Sequence, residues 1–187
     1  FWRAVVDEPQ AFSELVRTVD LTVEEWERQR DIYDNSPRDE LLSLGFATFY
    51  LNRTNRSGVL NGGPIGGKDQ TGNYKIDARF NRATLVERIR LIGLHASRIL
   101  VTNLDGRDVI KHYADEESAF IYADPPYFEK AGSLYMNAFD ASDHEELAKC
   151  LNEVDVARWV LTYDNVPGSG AIWWAAEQAL LIELFGA

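Results

Sequence analysis

Residues 119–123 (Ala-Phe-Ile-Tyr-Ala) run without a break into Asp124-Pro125-Pro126-Tyr127. A short apolar, aromatic-rich run closed by prolines reads as a buried strand that must stop there, because each proline fixes φ and removes a backbone donor. The text around it has an α/β rhythm. Ile99–Leu104 is a second β-branched run, read as a strand, and Gly106–Tyr113 fits a short helix. Ser142 and Glu145 have capping-box spacing for a helix to about Val154, Arg158–Tyr163 reads as a third strand, and Ser169–Phe185 reads as helical. Strands alternating with helices imply crossover connections and a mostly parallel sheet.

In an open parallel sheet, ligands bind beyond the carboxyl ends of the strands, which is where Asp124–Tyr127 falls. The prolines keep their carbonyls but have no ladder to join, so those oxygens are available to a substrate. Asp124 adds a carboxylate acceptor and Tyr127 a flat face. Two acceptors beside an aromatic plate suit a planar ring carrying an exocyclic amino group. Drawing hydrogen bonds from that group makes its nitrogen lone pair more available for attack on an electrophilic methyl. A strand-end proline turn without chemistry is the alternative.

The first half reads as helical. Phe1–Val19 has no turn signal. Thr22 and Glu25 have capping-box spacing for a helix to about Tyr33, and Ser36-Pro37 with Asp39 reads as a helix start leading to about Asn52. Ser57–Gly72 holds six glycines and an Asn61-Gly62 turn signal, so it is expected to be a loop or hairpin. A loop of this length inside a domain is commonly functional or disordered. Asn81 then reads as the cap of a helix carrying Leu85, Ile89 and Ile92 on one face.

Charge sharpens the division. The 187 residues carry a net −11, which argues against a polyanionic partner for the chain as a whole. Residues 52–98, however, hold Arg53, Arg56, Lys68, Lys75, Arg79, Arg82, Arg88, Arg90 and Arg98 against Asp69, Asp77 and Glu87, a net +6 between acidic flanks. That segment suits phosphates, or it is an ordinary solvated face. The single cysteine, Cys150, excludes an intrachain disulfide and a multi-cysteine zinc site; its apolar neighbours suggest core packing. His95, His112 and His144 show no ligand spacing, so no metal is expected. There is no apolar run long enough to span a bilayer and no signal-peptide pattern, so a cytoplasmic protein is expected.

The tetrapeptide resembles motif IV of amino-group methyltransferases that use S-adenosylmethionine. The surrounding text resembles, more narrowly, the Dam-like, D12-class DNA adenine-N6 methyltransferases. Phe1-Trp2-Arg3-Ala4-Val5 is similar to the helix after that family's second strand. Phe49-Tyr50-Leu51-Asn52-Arg53, with Ser57-Gly58 and Leu60-Asn61-Gly62, is similar to the start of its target-recognition region, and Gly72-Asn73-Tyr74-Lys75 to that region's close. Asn103-Leu104-Asp105 resembles the strand end that meets the cofactor adenine, and Leu161-Thr162-Tyr163-Asp164 the strand after the catalytic loop. The resemblance implies a partial Rossmann-like, S-adenosylmethionine-dependent sheet with an inserted, mostly helical target-recognition region. In domain terms, 1–35 is a helical segment of the core, 36–98 the recognition region, and 99–187 the catalytic α/β part with a divergent tail. It implies Asp124, Pro125, Pro126 and Tyr127 as catalytic residues, and Asp105, Leu104 and Asp124 as cofactor contacts. Asp105 alternatively caps the helix that begins at Gly106.

The implied partner is double-stranded DNA, whose adenine must leave the stack to be reached. Asn52, Arg53, Arg56, Asn61, Tyr74, Lys75, Arg79 and Arg82 are the implied DNA contacts, with Asn61 reaching a base edge or serving only as a turn residue. The family's glycine-rich cofactor loop has no counterpart here, since Gly62–Gly67 does not follow a buried strand. A chain lacking the N-terminal strands is therefore expected, with weak or no cofactor binding and self-association through an exposed sheet edge. The alternatives are an RNA amino-group methyltransferase and a non-catalytic fragment that binds DNA or itself.

Overall fold

The computed structural model describes residues 1–126 and 139–162. The chain divides into two compact units, 1–102 and 103–187.

The first unit is helical. Its elements are α1 (Trp2–Asp7), α2 (Pro9–Thr18), α3 (Val23–Asn35), α4 (Leu41–Thr54) and α5 (Arg82–Leu94), with short 3₁₀ turns at Arg56–Gly58 and Ala96–Arg98. The helix expected over 1–19 is two helices. Pro9 excludes the helical conformation from the residue before it, and Glu8 sits at φ −132°, ψ 53° between α1 and α2. Thr22 caps α3 as expected, its hydroxyl accepting from the Glu25 N–H at 3.1 Å. Ser36-Pro37 does not start a helix. Pro37 holds Ser36 extended, Ser36 closes α3, and α4 begins at Leu41, where the apolar residues begin.

The core of this unit is aromatic. Phe12, Phe46, Phe49, Tyr50 and Phe80 are buried together with Val5, Val16, Leu51, Leu85 and Ile89. Phe12 meets Phe49 edge to face at 5.5 Å and Phe46 at 5.6 Å, the geometry that ring quadrupoles favour. Residues 1–35 share this core with residues from α4 and α5.

The glycine-rich segment is an ordered loop with a single antiparallel bridge, Asn55 to Pro64, and a turn closed by the Gly62 N–H on the Val59 carbonyl at 2.9 Å. Two side-chain amides organise it, one buried (Asn55) and one half-buried (Gln70). Asn55 Oδ1 accepts from the Trp26 indole at 2.6 Å, and its Nδ2 donates to the carbonyls of Val59 and Leu60. Gln70 Nε2 donates to the Ile65 and Gly67 carbonyls, and its Oε1 accepts from the Ile76 N–H. Arg30 of α3 reaches across to the carbonyls of Leu60 and Gly62. Gly66 has φ +85°, and a Cβ there would lie 2.7 Å from the Tyr74 carbonyl oxygen, so the loop can close only on glycine.

The second unit contains α6 (Gly106–Tyr113), β1 (Phe120–Ala123), α7 (Ala141–Asn152) and β2 (Arg158–Leu161). The two strands pair in parallel, with Phe120 opposite Arg158 and Ala123 opposite Leu161. The crossover between them includes α7. Ile121 and Ala123 pack with Trp159 and Leu161 against Ile110, Leu147, Ala148 and Leu151. Phe120 and Tyr122 point the other way and are 67% and 60% exposed. The strand expected to be buried on both faces is thus covered on one among the described residues.

Ile99–Leu104 is not a strand. It pairs with nothing among the described residues, and Leu100 and Leu104 are 81% and 67% exposed. The cap of α7 lies two residues before the expected one. Asp140 accepts from the Asp143 N–H, Asp143 accepts from the Asp140 N–H, both at 3.0 Å, and Ser142 merely donates to Asp140. Aspartate caps as well as serine does, and Asp143 supplies the reciprocal bond that the Ser142–Glu145 spacing suggested. The expected end of the third strand at Tyr163 and the helix over 169–185 lie outside the described residues. Among the described residues no helix is long and apolar enough to cross a membrane.

Candidate active site

The parallel register that aligns Ala123 with Leu161 brings the next residues, Asp124 and Thr162, side by side just past the strand ends. The Thr162 N–H donates to the Ala123 carbonyl at 3.0 Å, extending the ladder by one bond. The Thr162 hydroxyl donates to Asp124 Oδ1 at 2.6 Å. Tyr122, two residues before Asp124 and hence on the same face of β1, has its phenol oxygen 3.3 Å from the Thr162 hydroxyl. A carboxylate only accepts, so the Thr162 proton is directed to Asp124 and the Tyr122 phenol is the donor to Thr162. Asp124 is exposed, and Pro125 and Pro126 are half-buried. Among the described residues no donor reaches the carbonyl oxygens of Pro125 or Pro126. Among the described residues, then, the Pro125 and Pro126 carbonyls at the end of β1 are left as unpaired acceptors. Tyr127 lies outside the described residues.

Asp105 sits at the start of α6 and caps it. Its Oδ1 accepts from the Arg107 N–H at 2.8 Å. The Arg107 guanidinium also grips both oxygens, at 3.0 and 2.8 Å, and continues to Asp143 and Glu146. These bonds hold the Asp105 carboxyl well down, at about 2. Leu104 beside it is exposed. A groove of about 430 Å³ next to them is lined by Asp105, Arg107, Lys111, Glu146, Lys149 and Cys150. Cys150 is buried, and burial raises its thiol pKa, which suits packing rather than reactivity.

In the helical unit, the basic segment resolves into residues with and without partners. Arg82 donates to the carbonyls of Val16, Arg17 and Val19, closing the end of α2, so its guanidinium is engaged in the fold. Lys75 donates to the Gln70 carbonyl and Asn52 to the Gly58 carbonyl. Arg53, Arg56, Arg79 and Arg88 form no ion pair among the described residues. Arg79 reaches the Asn55 carbonyl at 3.4 Å. Arg53 lies over the Phe49 ring, and its buried Nε has no partner. Burial, and then the neighbouring charges of Arg79 and Arg88, push the Arg53 pKa down. Uncompensated like charges held together are costly unless an anion joins them. Asn61 and Tyr74 are exposed on the loop, Tyr74 at 74%.

The model of one family, the D12 class N6 adenine-specific DNA methyltransferases, matches residues 3–179. The chain belongs to that family. No curated protein and no solved structure matches it. As a D12-class methyltransferase it is an enzyme of adenine-specific DNA methylation. The family implies S-adenosylmethionine. The described residues suit the adenine end of that group. Asp105 uses three of its roughly four acceptor positions on Arg107, leaving one, and the exposed Leu104 offers an apolar surface.

Two neighbours of Asp124 were not legible in the sequence. Thr162 lies in a stretch noted only for resemblance, and Tyr122 looks like a core aromatic. The register of a parallel pair, which no periodicity reveals, makes both neighbours of Asp124.

Proposed function

We propose that this chain transfers a methyl group from S-adenosylmethionine to N6 of an adenine flipped out of double-stranded DNA. The observation that carries the reading is the Asp124 carboxylate at the end of a parallel strand, beside proline carbonyls with no ladder partner. One amino hydrogen of the adenine is accepted by Asp124 and the other by the Pro125 carbonyl, with the base stacked on Tyr127. Both bonds strengthen as positive charge develops on the nitrogen, so they stabilise the transition state more than the ground state. When bound, the cofactor supplies the electrophilic methyl; Asp105, Leu104 and Asp124 are the residues proposed to hold it.

Arg53, Arg79 and Arg56 are proposed to take phosphates, with Asn52 and Lys75 bracing the loop. Asn61 and Tyr74 are proposed to reach toward bases. Arg82 is left out of the phosphate set because helix α2 already holds its donors. The exposed position of Asn61 on a loop tied down by Asn55 and Arg30 favours a duplex partner.

The deciding experiment is Asp124→Ala in the complete protein that carries this chain. Transfer of labelled methyl groups to unmethylated DNA of mixed sequence should fall at least about a thousandfold, while DNA affinity stays within about twofold. Transfer that persists in the variant refutes the reading, and transfer to RNA but not to DNA replaces it with the RNA alternative.

A further inference from the structure

We propose that Thr162 is a positioning residue for methyl transfer, its hydroxyl holding one oxygen of Asp124 so that the other is free for the substrate amino group. The inference rests on the reading of Asp124 as the amino-group acceptor. Three observations support it. The Thr162 hydroxyl and Asp124 Oδ1 are 2.6 Å apart, the distance of a charge-assisted hydrogen bond. Thr162 is itself placed by the sheet, because its N–H continues the β1–β2 ladder onto Ala123. Its hydroxyl is also approached by the Tyr122 phenol at 3.3 Å, which fills an acceptor position and leaves the proton to Asp124.

An exposed aspartate rotates freely about its two side-chain torsions. A carboxylate that must meet one N–H while the next residue's carbonyl meets the other cannot afford that freedom, since misplacing an acceptor by about 1 Å costs much of its effect. Threonine suits the task because its branched Cβ leaves few rotamers on extended backbone. The hydroxyl therefore arrives pre-aimed, and the row Tyr122–Thr162–Asp124 is a brace across two strands.

The test compares Thr162→Val, Thr162→Ser and Asp124→Asn, singly and combined, in the complete protein, with Asp124→Ala as reference. Thr162→Val keeps the shape and removes the donor. Its kcat should fall about tenfold, with KM for DNA and for S-adenosylmethionine within about twofold of wild type. Thr162→Ser should recover kcat to within about threefold, because the donor returns with looser aim. In the Asp124→Asn background, adding Thr162→Val should cost less than about twofold, because the two groups act through one contact. A Thr162→Val enzyme with wild-type kcat overturns the inference. So does a loss confined to KM, a lowered melting midpoint that Thr162→Ser does not restore, or full additivity with Asp124→Asn. Persisting transfer by Asp124→Ala, in contrast, overturns the functional reading beneath it.

Discussion

The helical unit and the α/β unit solve opposite problems. In residues 1–102 an aromatic cluster is packed among five helices and the loop before α5, and even the glycine-rich loop is fastened by the side-chain amides of Asn55 and Gln70. The described part of the second unit holds Asp124 at the end of a pair of parallel strands, with Phe120 and Tyr122 largely exposed. The first unit uses its polar groups to make a mobile-looking sequence rigid. Among the described residues, the second leaves the Pro125 and Pro126 carbonyls without donors at a strand end. On the proposed function the difference follows from what each would bind: a recognition surface must hold its shape against a polyanion, whereas an amino-group site must keep hydrogen-bond capacity in reserve.

Loss of transfer by Asp124→Ala is the largest effect expected, and it should leave the melting of the helical unit untouched. Next comes Phe12→Ala. Phe12 is fully buried and touches Phe1, Phe46 and Phe49, so its truncation should cost about 3–5 kcal/mol in denaturant unfolding. A smaller cost would mean that the aromatic cluster can collapse onto the gap. Asn55→Ala should cost about 2–3 kcal/mol, since it strands the Trp26 indole and two loop carbonyls. Amide exchange over residues 56–66 should rise with it, while exchange in β1 should not.

Arg53→Gln with Arg79→Gln should weaken DNA binding evenly across sequences and reduce the slope of log affinity against log salt by about 2. An unchanged slope would place the phosphates elsewhere. The smallest effect belongs to Asp105. Its carboxyl is depressed in the fold by the Arg107 side chain and backbone N–H, so its contribution is present above the unfolded value near 3.8 and is lost as pH falls toward about 2. Asp105→Asn should therefore flatten the acid limb of the α/β unit's stability below pH ~4, with a loss of about 1 kcal/mol or less from the cap at neutral pH.

The local signals in the sequence were read well where one residue decides the outcome. Thr22, Asn81 and Asp105 each cap the helix their spacing announces. The run ending at Pro125 is a strand because prolines stop it and branched and aromatic residues fill it. Reading failed where two signals competed. Ser36-Pro37 offered a helix start, but the end of α3 had first claim on Ser36. Asp140 and Ser142 both offered caps for α7, and the earlier one won through its reciprocal partner Asp143. Ile99–Leu104 has the composition of a strand and lacks the partner that would make it one.

The site divides in the same way. The sequence by itself determined that an acidic residue and proline carbonyls stand at a strand end, since those are properties of consecutive residues. Tertiary structure alone decided which arginines form no ion pair among the described residues. Arg82 is drawn to helix α2 across more than sixty residues of chain, while Arg53 and Arg79 are left beside each other. Tertiary structure alone also brought Thr162 to Asp124, because the register of a parallel pair is set by the crossover and by packing on α6 and α7. Pairing between distant residues is a property of the folded chain, and no local pattern in the sequence encodes it.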